Sequence, residues 1–383
     1  MSTAPVDHYY PGLEGVVACE TAICNLKGKE GAGGLEYRGY QIEDLAGVVS
    51  YEETAFLMLH GDLPTRAQLR DFEARLKAAR VIPEALVALY RQIPASVHPM
   101  DVLRTSVSVL AHFDPDNDAP PTDHAANVRK SERLIAQMAT AVAYRERIAH
   151  GKEIVPPRDD LDHAANFLNM INGKSPSETM RSAFDLSLVL YTEHELNAST
   201  FAARVTVSTL SDLDSGIVAA IGTLKGSLHG GANEEAWKVL EQVGSPENAE
   251  AWIRDALARK ERIMGFGHRV YKTGDPRARI LKAFCAKLAA EVGDQRWEQI
   301  AEPIEQAVTE QKKLPPNVDW PSARLYHYMG LDVSVYTPIF AMARVAGWAA
   351  HIIEQLDHNR LMRPRARYNG PPNRDVVPLA QRG

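Results

Sequence analysis

From Tyr51 onward the apolar residues of this chain recur at helical spacing, as in Leu69, Phe72, Leu76 and Ala79, and again in Leu134, Met138, Val142 and Ile148. Residues three and four apart share one face of an α-helix, so this rhythm predicts an all-α, mainly helical protein. The exception comes early. Gly15-Val16-Val17-Ala18 and Leu35-Glu36-Tyr37-Arg38-Gly39-Tyr40 flank a glycine-rich turn at 28–34, which predicts a small N-terminal β-hairpin. Residues 114–123 gather Asp, Asn and Pro between two helical runs and read as a loop. Past Arg360 the helical period is lost and Pro and Gly return. An extended tail is expected there, carrying Arg360, Arg363, Arg365 and Arg367 towards a partner subunit.

Length and charge narrow the function. At 383 residues the chain exceeds the size at which one core usually stops growing, so two domains are expected. The net charge of −6 argues against a broad nucleic-acid footprint, so any anionic ligand must be held by local cations. Residues 336–353 form the most apolar stretch, but Arg344 at its centre and His351 near its end are costly in lipid. That stretch reads as a buried helix and not as a membrane span. Cys19, Cys24 and Cys285 lack metal-ligand spacing, and the N-terminus shows no basic-then-apolar leader, which fits a reducing cytoplasm.

No Walker-type loop, Gly-x-Gly-x-x-Gly, Gly-x-Ser-x-Gly or His-Glu-x-x-His is present; after His194-Glu195 the second histidine is replaced by Ala198. Nucleotide hydrolysis, serine hydrolysis and zinc proteolysis lose their usual support. What stands out instead is three histidines beside glycines or chain breakers: His194, His229 within Leu-His-Gly-Gly-Ala-Asn, and His268 within Gly-Phe-Gly-His-Arg-Val-Tyr-Lys. A helical run from Ala232 puts His229 near a helix N-terminus, where the dipole favours a neutral ring that still donates a hydrogen bond. Each histidine alone fits a surface or capping role equally well; their combination is the signal.

Arg344 sits in a helix that Thr337-Pro338 would open, Thr337 as N-cap. A guanidinium in so apolar a run needs an anion, either a structural carboxylate or a substrate carboxylate gripped by its planar fork. Asp319 fits two roles: a cap for the helix near Pro321-Ser322, or a carboxylate whose pKa apolar walls raise into the range of a carbon-acid base.

Together these segments resemble the citrate synthase family over nearly the whole chain. Gly265-Phe-Gly-His-Arg-Val-Tyr-Lys-Thr-Gly-Asp-Pro-Arg277 carries most of the resemblance. Leu228-His-Gly-Gly-Ala-Asn233, His194-Glu-Leu-Asn-Ala-Ser-Thr200, Asn317-Val-Asp319, Ala343-Arg344 and Arg363-Pro364 support it in the family's order. Two neighbourhoods depart from many relatives without losing a functional group: Ser227-Leu228 before His229, and Trp320-Pro321 after Asp319.

The resemblance implies a large helical domain built from 1–222 and 331–383, with a smaller helical domain inserted at 223–330 and the active site in the cleft between. It implies that Asp319 removes a proton from an acyl-CoA, that His229 hydrogen-bonds the thioester oxygen, and that His268 protonates the oxaloacetate carbonyl. His194 would orient oxaloacetate, and Arg277, Arg344 and the partner subunit's Arg363 would hold its carboxylates. Ile263, Met264, Gly265, Phe266, Gly267 and Asn317 would contact coenzyme A, with Arg269 and Lys272 as phosphate partners. Coenzyme A is then part of the substrate; no tightly bound cofactor and no metal is implied. The shorter type of the family implies a homodimer without NADH regulation. Two rivals stay open: a 2-methylcitrate synthase using propionyl-CoA, and a noncatalytic helical homologue that binds CoA or a partner chain. The complete set of Asp, His and Arg residues disfavours the second.

Overall fold

A computed structural model describes residues 9–26, 34–268, 271 and 274–382. Among them are sixteen α-helices and one small sheet. The first ten helices are Ile42–Leu45 (α1), Tyr51–His60 (α2), Arg66–Ala78 (α3), Glu84–Gln92 (α4), Pro99–Ala111 (α5), His124–Ala149 (α6), His163–Asn172 (α7), Glu178–Tyr191 (α8), Ala198–Val207 (α9) and Leu213–Leu224 (α10). Then come Ala232–Val243 (α11), Pro246–Ala258 (α12), Pro276–Val292 (α13), Arg296–Lys312 (α14) and Asp319–Tyr328 (α15), and the last is Tyr336–Asp357 (α16).

Local chemistry sets many of these boundaries. Ser50 with Glu53 and Thr65 with Gln68 form reciprocal capping boxes at α2 and α3, satisfying N–H groups that have no partner within the helix. Asp123, Asp162, Ser177, Asn197, Asp212 and Asp275 cap α6, α7, α8, α9, α10 and α13 with their side chains. The loop expected at 114–123 lies between α5 and α6, as read from the sequence.

The sheet differs in detail from the expected hairpin. Residues 15–18 form no strand; the antiparallel strands are Cys24–Asn25 (β1), Glu36–Tyr37 (β2) and Tyr40–Gln41 (β3), in that order. Val17 is exposed, so that apolar run has no core to face, whereas the side chains of Cys24 and Tyr37 are buried. The Tyr37 hydroxyl lies within hydrogen-bond reach of the backbone oxygens of Val189, Leu190 and, nearest at 3.0 Å, Glu193, at and just past the end of α8, which anchors the sheet beneath the site. Of the predicted turn at 28–34, residues 28–33 lie outside the described residues.

Helix α16 is the axis of the fold. It packs on α2, α5, α6, α8, α9, α10 and α11, and almost every residue from Tyr336 to Leu356 is buried. A helix surrounded on all sides must be apolar all round, which accounts for its membrane-like composition. No helix among the described residues is long and apolar enough to cross a membrane. The helix starts at Tyr336, so Thr337 lies inside its first turn and is not its N-cap. The Thr337 hydroxyl bonds to the Glu234 carboxylate instead, joining α16 to α11.

Helices α11 to α15 pack chiefly on one another: α12 on α14, and α15 on α11 and α13. They meet the rest through α13 on α8 and α1, α15 on α8, and α11 on α16 and the short turn Val333–Val335. The tail beyond α16 is exposed and without regular structure to Pro378, as its composition predicts.

Candidate active site

The segments that carry the histidines, Asp319 and Arg344 meet where α8, the α8–α9 loop, α15 and α16 come together. Asp319 is the first residue of α15, and its side chain does not cap that helix. One carboxylate oxygen, Oδ1, accepts a hydrogen bond from the Tyr191 hydroxyl at 3.0 Å. The Tyr191 ring packs on Phe340 with centroids 4.5 Å apart, and Phe340 in turn faces His229 at 6.4 Å and lies under the Arg344 guanidinium at 4.8 Å. A chain of contacts thus joins the base candidate to the His229 ring and to a buried cation.

The Arg344 guanidinium is buried beside Tyr191. It is 1 % exposed, and its Nε donates to the Tyr191 carbonyl at 2.6 Å. Among the described residues it makes no ion pair. Burial lowers its pKa, opposed by the charge of Glu193. That glutamate is committed elsewhere, to His351 at 3.1 Å, with both side chains fully buried. Arg277 is different. Its Nε and Nη2 make a bidentate pair with Asp275 at 3.0 and 2.8 Å, and Asp275 also accepts from the Val318 N–H at 3.2 Å. Asp275 therefore fixes Arg277 to the residue preceding Asp319, and part of the Arg277 fork is already occupied.

Two of the three histidines, His194 and His229, are shifted towards the neutral ring. Burial, then Arg277, the neighbouring His268 ring and Arg344, push the pKa of His194 well down. Its Nε2 meets the Tyr271 hydroxyl at 3.1 Å, and its ring lies 5.0 Å from that of His268, which stacks on Tyr271 at 4.5 Å. Burial and Arg344 lower His229 to about 4. The His229 Nε2 sits 2.8 Å from the Ser199 hydroxyl, which also accepts from the Trp348 indole at 3.1 Å. A ring pinned at Nε2 directs Nδ1 elsewhere, and Ser199 and Trp348 set its plane. For Asp319 the sign is opposite: desolvation lifts it to about 6, against the lowering pull of the Tyr191 hydrogen bond and of Arg277 and Arg344.

The segment at 263–268 is laid beside Asp319 by a short backbone ladder. Gly267 N–H donates to Pro315 O at 2.8 Å, Asn317 N–H to Gly265 O at 2.9 Å, and the Asn317 side-chain amide to Gly267 O at 2.9 Å. Gly265 has φ +88°, and a Cβ there would stand 3.0 Å from the Trp320 ring, so glycine is required both for conformation and for space. Phe266 packs on Trp320 at 4.7 Å and Ile263 is buried, which gives both side chains a structural task; Met264 is part-exposed. Arg269 and Lys272 lie outside the described residues.

Arg363 does not join this cluster within its own chain. It borders a groove of about 1240 Å³ whose walls include Cys19, Arg204, Glu354 and Met362 and none of the site histidines. Sequence reading missed Tyr191, Phe340, Tyr271, Ser199 and Glu193. Tyr191 and Glu193 flank the His194 motif and Ser199 lies within it, so their positions were visible, but what they touch was not.

A sequence profile described as citrate synthase, C-terminal domain, matches residues 12–365. The chain is 47% identical to "Citrate synthase 2" of Bacillus subtilis over 97% of its own length and 98% of that protein. It is 44% identical to a "2-methylcitrate synthase" of Shewanella oneidensis, covering 97% of each. Its fold matches the ternary complex of carboxymethyl coenzyme A and oxaloacetate with citrate synthase from the thermophilic archaeon Thermoplasma acidophilum, with a TM-score of 0.90 at 35% identity over 98% of this chain and 100% of that one.

Proposed function

The chain belongs to the citrate synthase family, enzymes that condense an acyl-CoA with oxaloacetate, and from that premise we propose that its donor is acetyl-CoA and its product citrate. The observation that carries the reading is the buried, ion-pair-free fork of Arg344 beside an apolar-walled carboxylate, Asp319. A dicarboxylate supplies the missing anion, and a base lifted to about 6 suits removal of a proton from carbon near neutral pH.

In this proposal the free oxygen of Asp319 takes a proton from the acetyl methyl group while His229 donates to the thioester oxygen, stabilising the enol or enolate. A neutral imidazole suits that task, because it is a donor that need not first lose a charge. The enol carbon attacks the oxaloacetate carbonyl, whose oxygen gains a proton from His268, with His194 orienting the keto acid. Arg277, Arg344 and Arg363 from the partner subunit hold the carboxylates. The position of Arg363 on a groove away from the other residues supports a role in the partner's site and a homodimer. Water then hydrolyses the citryl-CoA thioester. Coenzyme A enters as substrate, contacted by 263–267 and Asn317. The packing of α11 to α15 on one another supports their moving as one body, 223–330, against the large domain when oxaloacetate binds.

A second reading, 2-methylcitrate synthesis from propionyl-CoA, is favoured by the relative of that name, which matches over as much of the chain. One methylene in an apolar pocket is worth about 1–3 kcal/mol, so pocket shape decides. Purified protein is expected to release thiol from acetyl-CoA only when oxaloacetate is added, and faster than from propionyl-CoA. A faster rate with propionyl-CoA selects the second reading, and no release from either donor selects a noncatalytic binding protein.

A further inference from the structure

The base has a partner that the charge-bearing motifs do not contain. Tyr191, the last residue of α8, is fully buried and contacts three parts of the site at once. Its hydroxyl donates to Asp319 Oδ1 at 3.0 Å, its carbonyl receives Arg344 Nε at 2.6 Å, and its ring lies on Phe340. The hydroxyl also meets Ser322 Oγ at 2.8 Å. With the tyrosine proton given to Asp319, the Ser322 hydroxyl has two acceptors within reach, the tyrosine oxygen and the Asp319 carbonyl at 3.2 Å. Among the described residues Asp319 Oδ2 has no hydrogen bond.

We propose that Tyr191 is the positioning residue of the base: its hydroxyl clamps Oδ1 of Asp319 and so leaves Oδ2 as the oxygen that receives the substrate proton. This rests on the reading of Asp319 as base. A carboxylate at the start of a helix can rotate about its last torsion and offer either oxygen; a single donor on one oxygen removes that freedom without covering the other. The same bond favours the ionised form, opposing desolvation, so the hydroxyl keeps the base available near neutrality. The other charged or titratable groups acting on Asp319 are Arg277 and Asp275 from the start of α13 and Arg344 from α16, with Tyr326 coupled to it within α15. None of them is a hydrogen-bond partner of its carboxylate.

Tyr191→Phe keeps the ring and the carbonyl and removes only the clamp. The carboxylate band of Asp319, isolated by infrared subtraction of the Asp319→Asn spectrum, is expected to titrate about one pH unit higher in Tyr191→Phe than in the parent protein. The acid limb of kcat should move up with it, and kcat should fall about tenfold while KM for oxaloacetate stays put. An infrared midpoint that does not rise, or a fall in kcat with the pH limb unmoved, overturns the proposal. If Tyr191→Phe does not fold, Ser322→Ala carries the same test, with a smaller upward shift expected and no shift overturning it. The infrared titration needs no turnover, so absence of thiol release by the parent protein counts against the enzymatic reading and leaves the clamp separately testable.

Discussion

Asp319 and His229 are tuned in opposite directions by one cause. Burial penalises charge, so the carboxyl rises to about 6 and the imidazole falls to about 4. Both then stand at neutral pH in the form that the proposed enolisation needs, an ionised carboxylate and a neutral donor. Asp319→Asn keeps shape and loses the base, so turnover should fall by roughly 10³-fold, with oxaloacetate affinity largely kept; thiol-release assays and calorimetric titration check the two halves. The sign of the pH effect follows. Below about 6 Asp319 gains a proton and cannot accept another, so kcat/KM should decline on the acid side with a midpoint near that value, and a midpoint near the ordinary carboxylate value would contradict the burial argument. His229 stays neutral throughout that limb, since its own protonation comes nearer 4.

At the scale of elements, α16 and the α8–α9 loop make the site possible. Thr192 and Glu193 pass close to α16 at Gly347, and Glu195 adopts φ +53°, a left-handed conformation rare for a side chain of its kind. Gly347 lets the loop approach: a Cβ there would run into the Thr192 carbonyl and the Glu193 carboxylate. The Glu193 carboxylate is in turn held by His351, which is joined to Arg204 of α9 at 3.0 Å. Gly347→Ala should therefore destabilise by about 1–3 kcal/mol through forced backbone displacement, read as a lower Tm, and should weaken oxaloacetate binding through the shifted His194. An unchanged Tm would mean that the loop yields freely.

Across the whole molecule, a second buried acid cluster is coupled to stability. Glu52 of α2 and Asp185 of α8 both sit well above the ordinary carboxylate range, mainly through desolvation and, for Asp185, the neighbouring charge of Glu52. A carboxyl with a raised folded-state pKa contributes stability that is present at low pH, below the unfolded value near roughly 4, and lost as pH climbs through the folded value. Asp185→Asn should flatten this part of the stability curve, raising Tm relative to the parent above neutrality and not at pH 4; parallel curves for the two proteins would contradict it. The sequence by itself determined the helical class, because apolar spacing is a local property that any packed solution must respect. It also offered the candidate site residues, because His194, His229, His268, Arg277, Asp319 and Arg344 lie in segments whose glycines, caps and apolar-run charge are visible in one dimension. It misplaced the first strand, since Gly15-Val-Val-Ala18 has strand composition and no partner in register, while Cys24–Asn25 has the partner and little composition to announce it. Only the tertiary structure decided that Arg277 is held by Asp275 while Arg344 has no ion pair among the described residues, and that Tyr191 is bonded to Asp319. Those outcomes depend on which groups meet across α8, α13, α15 and α16, and contacts between residues far apart in the chain leave no period or spacing in the sequence that forms them.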